Sequence, residues 1–142
     1  MKSSVTWQDG MAFSAELDGF ELKIDADEQF GGRGLGPKPK GLLLTSLVGC
    51  TAMDVVAILG KMHVEIDGLS VEADGELVSE HPKRFDRIVV RYRFQGKELP
   101  IKKLQRAVRL SEESFCGVRA SLHPDIAQST EIFINGELVA DQ

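Results

Sequence analysis

The feature that most constrains the fold of this chain is an apolar run from Gly41 to Met62, GLLLTSLVGCTAMDVVAILGKM. Coiled as a helix, this run is hydrophobic on every side, and it contains one thiol, Cys50, and one acid, Asp54. A helix that is apolar all round must be covered on all faces, either by protein or by lipid. The flanking segments are therefore expected to cover it, with Cys50 inside that cover.

The same run is about as long as a helix that crosses a bilayer. We favour a core helix, because Asp54 near its middle would be costly in hydrocarbon and Thr45, Ser46 and Thr51 dilute its apolarity. The N-terminal stretch MKSSVTWQDG lacks the apolar core of a signal peptide. These observations predict a cytoplasmic protein with no membrane partner.

Length and charge narrow the class of protein further. A chain of 142 residues predicts a single domain over residues 1–142 that buries a proper core. The net charge of −5 argues against a nucleic-acid partner, which would need a basic surface. Three histidines and two cysteines show no recognisable zinc-binding spacing, so the spacing predicts no zinc site.

Periodicity predicts short strands before the apolar helix. The segments SSVTW, MAFSAEL and FELKIDAD are separated by Asp-Gly steps, which favour tight reversals between antiparallel strands. The following stretch, EQFGGRGLGPKPK, is rich in glycine and proline and predicts an irregular loop. Pro39 suits the first turn of the apolar helix, which we place from about Pro39 to Lys61.

After that helix the pattern predicts two longer strands, then two helices and a last strand. Residues 64–79 and 85–94 alternate between apolar and polar side chains. Pro100 starts an amphipathic helix, and Ser111 is interpreted as the N-cap of a second, short helix that carries Cys116. The last strand covers residues 129–135 and precedes a short polar tail. This order predicts an α+β fold with antiparallel sheets.

Two thiols and an acid are the candidate chemical groups. Asp54 lies one helical turn after Cys50, so thiol and carboxyl share a face and can approach each other. Asp54 alone would disfavour a Cys50 thiolate by like-charge repulsion, so a reactive Cys50 needs a nearby cation. Arg33 in the glycine-rich loop and Arg119, close to Cys116 in sequence, are the candidates.

A simpler interpretation stays open at this point. Buried free cysteines commonly act as small, inert hydrophobic residues. Arg33 and Arg119 are equally well explained as solvent-exposed side chains, and the glycine-rich loop GGRGLG lacks the phosphate-binding P-loop pattern.

The stretches GGRGLGPKPKGLLLTSLVGCTAMDVV and LSEESFCGV resemble the OsmC/Ohr family, the osmotically inducible protein C and organic hydroperoxide resistance proteins. The cysteine spacing and the order of elements agree over nearly the whole chain, and the match is closer to the OsmC-like subgroup. The resemblance implies an α+β fold with antiparallel sheets around long buried central helices, in an intertwined homodimer. The partner subunit would then supply the missing cover of the apolar helix.

The resemblance also implies a thiol-dependent peroxidase. Cys50 would be the nucleophile that attacks an organic hydroperoxide, and Cys116 would resolve the sulfenic acid to a disulfide. An external dithiol would reduce that disulfide, and the resemblance implies neither a metal nor a bound cofactor. On this hypothesis Arg33 or Arg119 would supply the cation and Asp54 would orient it.

Two positions depart from the family pattern. Lys40 or Gly41 stands where family peroxidases carry a glutamate, and residues 5–17 contain no arginine, where those peroxidases carry the arginine that pairs with it. A second hypothesis follows from these departures: a non-peroxidatic OsmC-like protein that acts as a redox sensor or binds a small hydrophobic ligand.

Overall fold

The apolar run forms one continuous helix, α1 (Pro39–Lys61), in the computed structural model, which describes residues 1–139. Pro39 occupies the first helical position, where a missing N–H costs no hydrogen bond. Lys61 lies in the last turn, where its charge interacts favourably with the helix dipole. The predicted bounds of this helix are confirmed.

The remaining elements confirm the α+β class. They are β1 (Ser3–Asp9), β2 (Ala12–Leu17), β3 (Phe20–Ile24), a 3-10 turn (Glu28–Phe30), β4 (Gly68–Leu77), β5 (Phe85–Gln95), α2 (Ile101–Leu110), a π-helical turn (Ser111–Phe115), α3 (Gly117–Ser121), β6 (Ala127–Ile134) and β7 (Glu137–Val139). The chain divides into two compact units, Met1–Leu43 and Leu44–Gln142.

The N-terminal unit contains an antiparallel meander with the strand order β1-β2-β3. Asp18 and Gly19 form the reversal between β2 and β3, with φ of 50° and 85° respectively. Positive φ at both central residues matches the right-handed twist of the flanking strands and explains the Asp-Gly pair. The predicted hairpin is confirmed.

The loop after β3 is organised by one carboxylate. Asp25 is buried, and its side chain accepts hydrogen bonds from the backbone N–H groups of Ala26, Arg33 and Leu35 at 2.8, 2.9 and 3.2 Å. These N–H groups stabilise the charged form and hold the pKa of Asp25 below its usual range. The loop therefore wraps around Asp25.

The glycines of this loop permit the close backbone packing that the wrapping needs. A Cβ atom on Gly32 would lie 1.9 Å from the carbonyl oxygen of Ala26, and one on Gly36 would lie 2.1 Å from that of Lys23. Any side chain at these two positions would force the backbone apart. Close backbone packing within the N-terminal unit thus explains why this loop is rich in glycine.

The second sheet has the strand order β4-β5-β6-β7 and corrects one prediction. β4 and β5 pair antiparallel, as do β6 and β7, but β5 and β6 are parallel. Parallel neighbours need a long crossover, and the segment with α2 and α3 provides it between these strands. The expectation of purely antiparallel sheets is therefore wrong for this sheet, which is mixed.

The core of the second unit lies between this sheet and the helices. From Ile88 onward, every second residue of β5 up to Phe94 is fully buried, as the alternation predicts: Ile88, Val90, Tyr92 and Phe94. α1 contributes a stripe one residue wide along its length: Leu47, Thr51, Val55 and Leu59. α2 contributes Leu104, Ala107 and Val108. Burial of this apolar surface is the main stabilising term of the unit.

The opposite side of β5 carries ion pairs. Arg91 pairs with Asp74 on β4 and with Glu131 on β6, and Arg93 pairs with Glu72 on β4 at 2.8 Å. These cross-strand pairs set opposite charges next to each other on the outer face of the sheet. The sheet therefore has one apolar and one charged face.

α1 is not covered on all sides within one chain. Its side chains at Met53 and Val56 are 75% and 53% exposed. By length and composition, with a mean hydropathy of 2.1, α1 meets the criteria for a membrane-spanning helix, which core helices of globular proteins also meet. The expectation that this helix is buried all round is thus not met by the described chain alone.

Two local predictions are wrong. Ser111 does not cap a new helix, because it has helical dihedrals (φ −59°, ψ −49°) and α2 runs directly into the π-helical turn. Cys116 takes the cap position instead, with extended dihedrals at the start of α3. The first residues of the expected polar tail also form a strand, β7 (Glu137–Val139), because the chain turns at Asn135 and Gly136 and pairs back onto β6. The rest of that tail lies outside the described residues.

The Asp25 loop predicts a pH-dependent stability. We expect Asp25→Asn to destabilise the chain at neutral pH, because the amide offers an N–H group to backbone donors. The stabilisation from Asp25 is fully present above its unfolded pKa of 3.8 and is lost as the pH falls through its lower folded pKa. Urea unfolding from about pH 7 down to about pH 2 measures the difference between variant and wild type.

The matched control is Asp86→Asn, which changes an exposed strand residue of β5. This control is expected to unfold like the wild type at neutral pH. A constant difference between Asp25→Asn and the wild type at every pH would contradict the role of the Asp25 charge.

Candidate functional site

α1 and the turn before α3 bring the two thiols together with an acid. Cys50 and Asp54 lie one turn apart on α1, and Cys116 reaches them from the crossover segment. The two sulfur atoms and a carboxylate oxygen of Asp54 all lie within 4.8 Å of one another. Both cysteines are free thiols, with Cys116 buried and Cys50 half-buried. Three of the five predicted site residues therefore form one cluster.

A chain of hydroxyl groups leads from the core to Asp54. The Oη atom of Tyr92 lies 2.6 Å from Oγ1 of Thr51, which lies 2.8 Å from Oγ of Ser111. Ser111 in turn donates to Oδ2 of Asp54 at 3.0 Å. Tyr92, Thr51 and Ser111 are all buried, so the chain is shielded from water.

The number of protons on each hydroxyl group determines which group donates in each hydrogen bond of this hydroxyl chain. A hydroxyl group has one proton to donate, and a carboxylate only accepts. Because Ser111 donates to Asp54, its oxygen must accept the proton of Thr51, and Thr51 must accept that of Tyr92. The donors therefore run from Tyr92 to Asp54 and hold that carboxylate in place.

The ionisation of Tyr92 fits its place at the donor end. Burial raises the pKa of Tyr92 well above its ordinary value, and the charge of Glu112 raises it further, while the hydrogen bond with Thr51 opposes the shift. The phenol therefore keeps its proton over the whole physiological range. Tyr92 remains a permanent donor to Thr51.

Cys116 is held as a thiol. Burial raises the pKa of Cys116 to about 11, against the effect of the Arg119 backbone N–H, which donates to its sulfur at 3.4 Å. The hydrogen bond with Cys50 and the charges of Cys50 and Asp54 raise it further. At neutral pH Cys116 is therefore protonated and needs a base before it can act as a nucleophile.

Arg119 contributes to the site in two ways. Its backbone N–H contacts the sulfur of Cys116, and its guanidinium donates to Glu112 at 3.1 Å. Thr130 on β6 donates to the same carboxylate oxygen of Glu112. The side chains of Arg119 and Glu112 are only 19% and 15% exposed, so this pair ties the Cys116 turn to the sheet.

Arg33, the other predicted cation, lies in the N-terminal unit. Its guanidinium pairs with Asp9 at the end of β1, and its backbone N–H donates to Asp25. Both partners belong to the same unit. Its predicted role beside Cys50 stays a prediction.

Sequence reasoning missed the buried hydroxyl chain and Glu112. The available signal was a polar residue on an otherwise apolar stripe: Thr51 lies between Leu47 and Val55 on α1, and Tyr92 between Val90 and Phe94 on β5. Ser111 carried no such signal, because its place depends on how α2 ends.

A separate groove of about 630 Å³ opens beside α2 and β6. Charged residues, among them Arg109, Glu112, Glu113 and Glu131, form much of its lining. Pockets for small hydrophobic ligands are mostly apolar. This groove therefore does not favour a hydrophobic ligand. The thiol cluster, by contrast, offers two sulfurs and a carboxylate, which are ligand types for zinc.

Comparisons with known proteins identify the family of this chain. Residues 31–131 match the family described as OsmC-like protein. Protein YhfA of Escherichia coli (strain K12) is 30% identical over 135 residues, which cover 93% of this chain and 98% of YhfA.

Solved structures share the fold. A hypothetical protein from Aquifex aeolicus VF5 superimposes with a TM-score of 0.79 at 26% identity, over 94% of this chain and 96% of that chain. An organic hydroperoxide resistance protein from Elizabethkingia anophelis has a TM-score of 0.71 over 94% of each chain, and at 14% identity it shows the fold alone. On the family match and the similarity to YhfA, this chain belongs to the OsmC-like family.

Proposed function

We propose that this protein is a thiol-dependent peroxidase that reduces organic hydroperoxides. The observation that carries the proposal is the approach of the Cys50 and Cys116 sulfurs to within 4.8 Å of each other and of Asp54. A peroxidase of this kind needs one accessible thiol to meet the peroxide and a second thiol close enough to form a disulfide. The half-buried Cys50 and the buried Cys116 suit these two roles.

The first step is the attack of the Cys50 thiolate on the distal oxygen of the hydroperoxide. A sulfur–oxygen bond forms while the oxygen–oxygen bond breaks, and the alkoxide leaves and takes up a proton to become the alcohol. Cys50 becomes a sulfenic acid, and the peroxide gains two electrons. Asp54 and Cys116 border the sulfur at which this happens.

The second step is the attack of Cys116 on the sulfur of the Cys50 sulfenic acid. A sulfur–sulfur bond forms, the sulfur–oxygen bond breaks and water leaves. Cys116 must lose its proton in this step, because its pKa of about 11 keeps it protonated at neutral pH. An external dithiol then reduces the disulfide and restores both thiols.

We assign Asp54 the role of general base for Cys116. One carboxylate oxygen of Asp54 lies within 4.8 Å of the Cys116 sulfur, and the hydrogen bond from Ser111 to Asp54 fixes the position of this carboxylate. A fixed base is effective because its hydrogen-bond partners hold it in the geometry of proton transfer. The hydroxyl chain from Tyr92 supplies that rigidity.

We assign Arg119 a positioning role through Glu112. The Arg119–Glu112 pair, with Thr130, fixes the turn whose backbone N–H contacts the Cys116 sulfur. Family peroxidases place their arginine and glutamate elsewhere in the chain, so this pair would support the site in a different way. Arg33 remains a proposed cation for Cys50.

The raised pKa of Cys116 also favours a second candidate function, a redox sensor. A resolving thiol with a pKa of about 11 forms the disulfide slowly unless a base assists it. A long-lived sulfenic acid on Cys50 would then act as a signal rather than as a catalytic intermediate. The rate of disulfide formation separates the two functions.

Removing either thiol is expected to stop turnover at a different step. Cys50→Ser abolishes consumption of cumene hydroperoxide in the presence of a dithiol, because no sulfur meets the peroxide. With no reductant present, Cys116→Ser consumes one equivalent and accumulates a sulfenic acid that a sulfenic-acid-specific probe labels. Peroxide consumption and mass spectrometry of the intact protein measure both results.

In the wild type the peroxide-treated chain should lose two hydrogen atoms and no free thiol should remain. Peroxide consumption by Cys50→Ser at the wild-type rate would exclude the proposed peroxidase mechanism. Rapid disulfide formation in every turnover would instead exclude the sensor function.

The role of Asp54 predicts a slower second step. Asp54→Asn should lower the single-turnover rate of disulfide formation by roughly 10²–10⁴-fold at neutral pH, the usual contribution of a general base. Its remaining rate should rise with pH until Cys116 is ionised. In this variant Cys116 ionises with a pKa below the wild-type value of about 11, because the Asp54 charge, which raises the wild-type pKa, has been removed. Rapid quenching with acid, followed by alkylation, measures the rate.

Shortening the hydroxyl chain should produce smaller losses in the same assay. Ser111→Ala removes the direct donor to Asp54 and should cost about tenfold, roughly the worth of one hydrogen bond. Tyr92→Phe, at the far end of the chain, should cost less. A wild-type rate and pH profile in Asp54→Asn would rule out the proton transfer.

We also propose that the protein works as a soluble, cytoplasmic homodimer. The exposed face of α1, with Met53 and Val56, supports this proposal, because a second copy would cover the apolar surface that one chain leaves in water. The N-terminal unit exposes further large apolar side chains, Trp7 at 63% and Phe20 at 79%.

Charge on this face of α1 should therefore break the dimer. The double variant Met53→Lys and Val56→Lys is expected to sediment as a monomer at concentrations where the wild type is dimeric, because it buries charges in an apolar interface. Ile101→Lys is the matched control on α2, where the side chain is 47% exposed, and it should stay dimeric. A monomeric wild type would contradict the proposal.

A further inference from the structure

We propose that the reduced chain binds one zinc ion through the sulfur atoms of Cys50 and Cys116 and the carboxylate of Asp54, and that disulfide formation releases it. The binding part stands on the geometry of these three groups. The release part rests on the proposed peroxidase function.

The three donor atoms are already gathered. All lie within 4.8 Å of one another. Zinc binds thiolate sulfur at about 2.3 Å and carboxylate oxygen at about 2.0–2.2 Å, so small side-chain adjustments bring all three donors into its coordination sphere. Two thiolates and one carboxylate also match the preference of zinc for sulfur, nitrogen and oxygen ligands.

The groups around the donors resemble the outer shell of a metal site. Asp54 receives a hydrogen bond from Ser111, which Thr51 and Tyr92 support in turn. The sulfur of Cys116 receives one from the backbone N–H of Arg119. Such outer partners orient the ligands, and losing one typically weakens metal affinity by roughly 10–100-fold.

One side of the cluster is accessible to solvent. Cys116 is buried, whereas Cys50 and Asp54 are half-buried. Three protein ligands with an accessible side give zinc a fourth position for water. A metal ion can therefore enter without unfolding the crossover segment.

Metal binding and thiol oxidation exclude each other at this site. On binding, each thiol loses its proton to the solvent as it becomes a ligand. On oxidation, the hydroperoxide takes two electrons from the two sulfurs and two protons from the solvent, giving the disulfide, the alcohol and water. The disulfide sulfurs no longer carry the negative charges that hold zinc, so the ion leaves.

Cobalt spectroscopy and zinc competition on the full-length reduced protein test the binding. Anaerobic addition of Co²⁺ should produce thiolate-to-cobalt charge-transfer absorption that saturates at one ion per chain, and Zn²⁺ should abolish it. Competition with a chromophoric chelator then gives the zinc affinity. Peroxide is absent, so the result does not depend on peroxidase activity.

Variants locate the site. Cys50→Ser should lose the charge-transfer band. Asp54→Asn should weaken zinc binding by at least about tenfold, and Ser111→Ala by roughly 10–100-fold through the orientation of Asp54. His123→Gln is the control, because the exposed His123–Asp125 pair offers an imidazole and a carboxylate, groups to which added metal can bind non-specifically. This control should bind zinc like the wild type.

Absence of the band in the reduced wild type, or an unchanged band in Cys50→Ser, would overturn the zinc site. Loss of binding in His123→Gln would overturn it as well. Release is tested separately: one equivalent of cumene hydroperoxide should free the bound zinc, detected by the chelator. Zinc that stays bound to fully oxidised protein would overturn the release, whereas peroxide consumption with zinc removed tests the peroxidase alone.

Discussion

The hydrogen bond between Thr51 and Ser111 is the contact on which the thiol site depends. Thr51 belongs to α1 and Ser111 follows α2, so one buried interaction of 2.8 Å joins the element that carries Cys50 to the segment that carries Cys116. A buried hydroxyl group without a hydrogen-bond partner lowers the stability of the fold. Packings of α1 against the segment after α2 that leave these hydroxyl groups unpaired are therefore disfavoured. Tyr92 and Asp54 complete the chain at its two ends.

The two thiols of the site differ in burial and in protonation. Cys116 lies in the protein interior and keeps its proton, while Cys50 is partly open to solvent. Asp54 stands beside both sulfurs in a fixed position. A carboxylate there disfavours negative charge on sulfur, yet it can accept a proton or hold a metal ion. The same three groups therefore carry both proposals, peroxide reduction and zinc binding, and the two proposed roles exclude each other in time.

α1 has one face buried in the core and another apolar face that is exposed. Its stripe of Leu47, Thr51, Val55 and Leu59 fills the core, while Met53 and Val56 leave the described chain with an exposed apolar face. Apolar surface of this kind is stable in water when a second protein surface covers it. The proposed homodimer would account for the membrane-like composition of the helix.

The sequence by itself determined the central helix, the N-terminal meander and the buried face of β5. The apolar run, the Asp-Gly reversals and the alternation of β5 gave the helix, the meander and the buried strand face, because these patterns depend on local periodicity and turn chemistry. It also indicated Cys50 and Asp54 as neighbours, since both lie on one face of α1. The family resemblance supplied the pairing with Cys116, which no local pattern contains.

Only the tertiary structure decided the rest. The parallel pairing of β5 with β6 depends on the path of the crossover, and the role of Ser111 depends on the π-helical turn that carries α2 onward. The hydroxyl chain joins α1, β5 and the end of α2, which are far apart in sequence. Such contacts arise from packing rather than from local preference, so the sequence provided the chemical groups and the fold decided which of them meet.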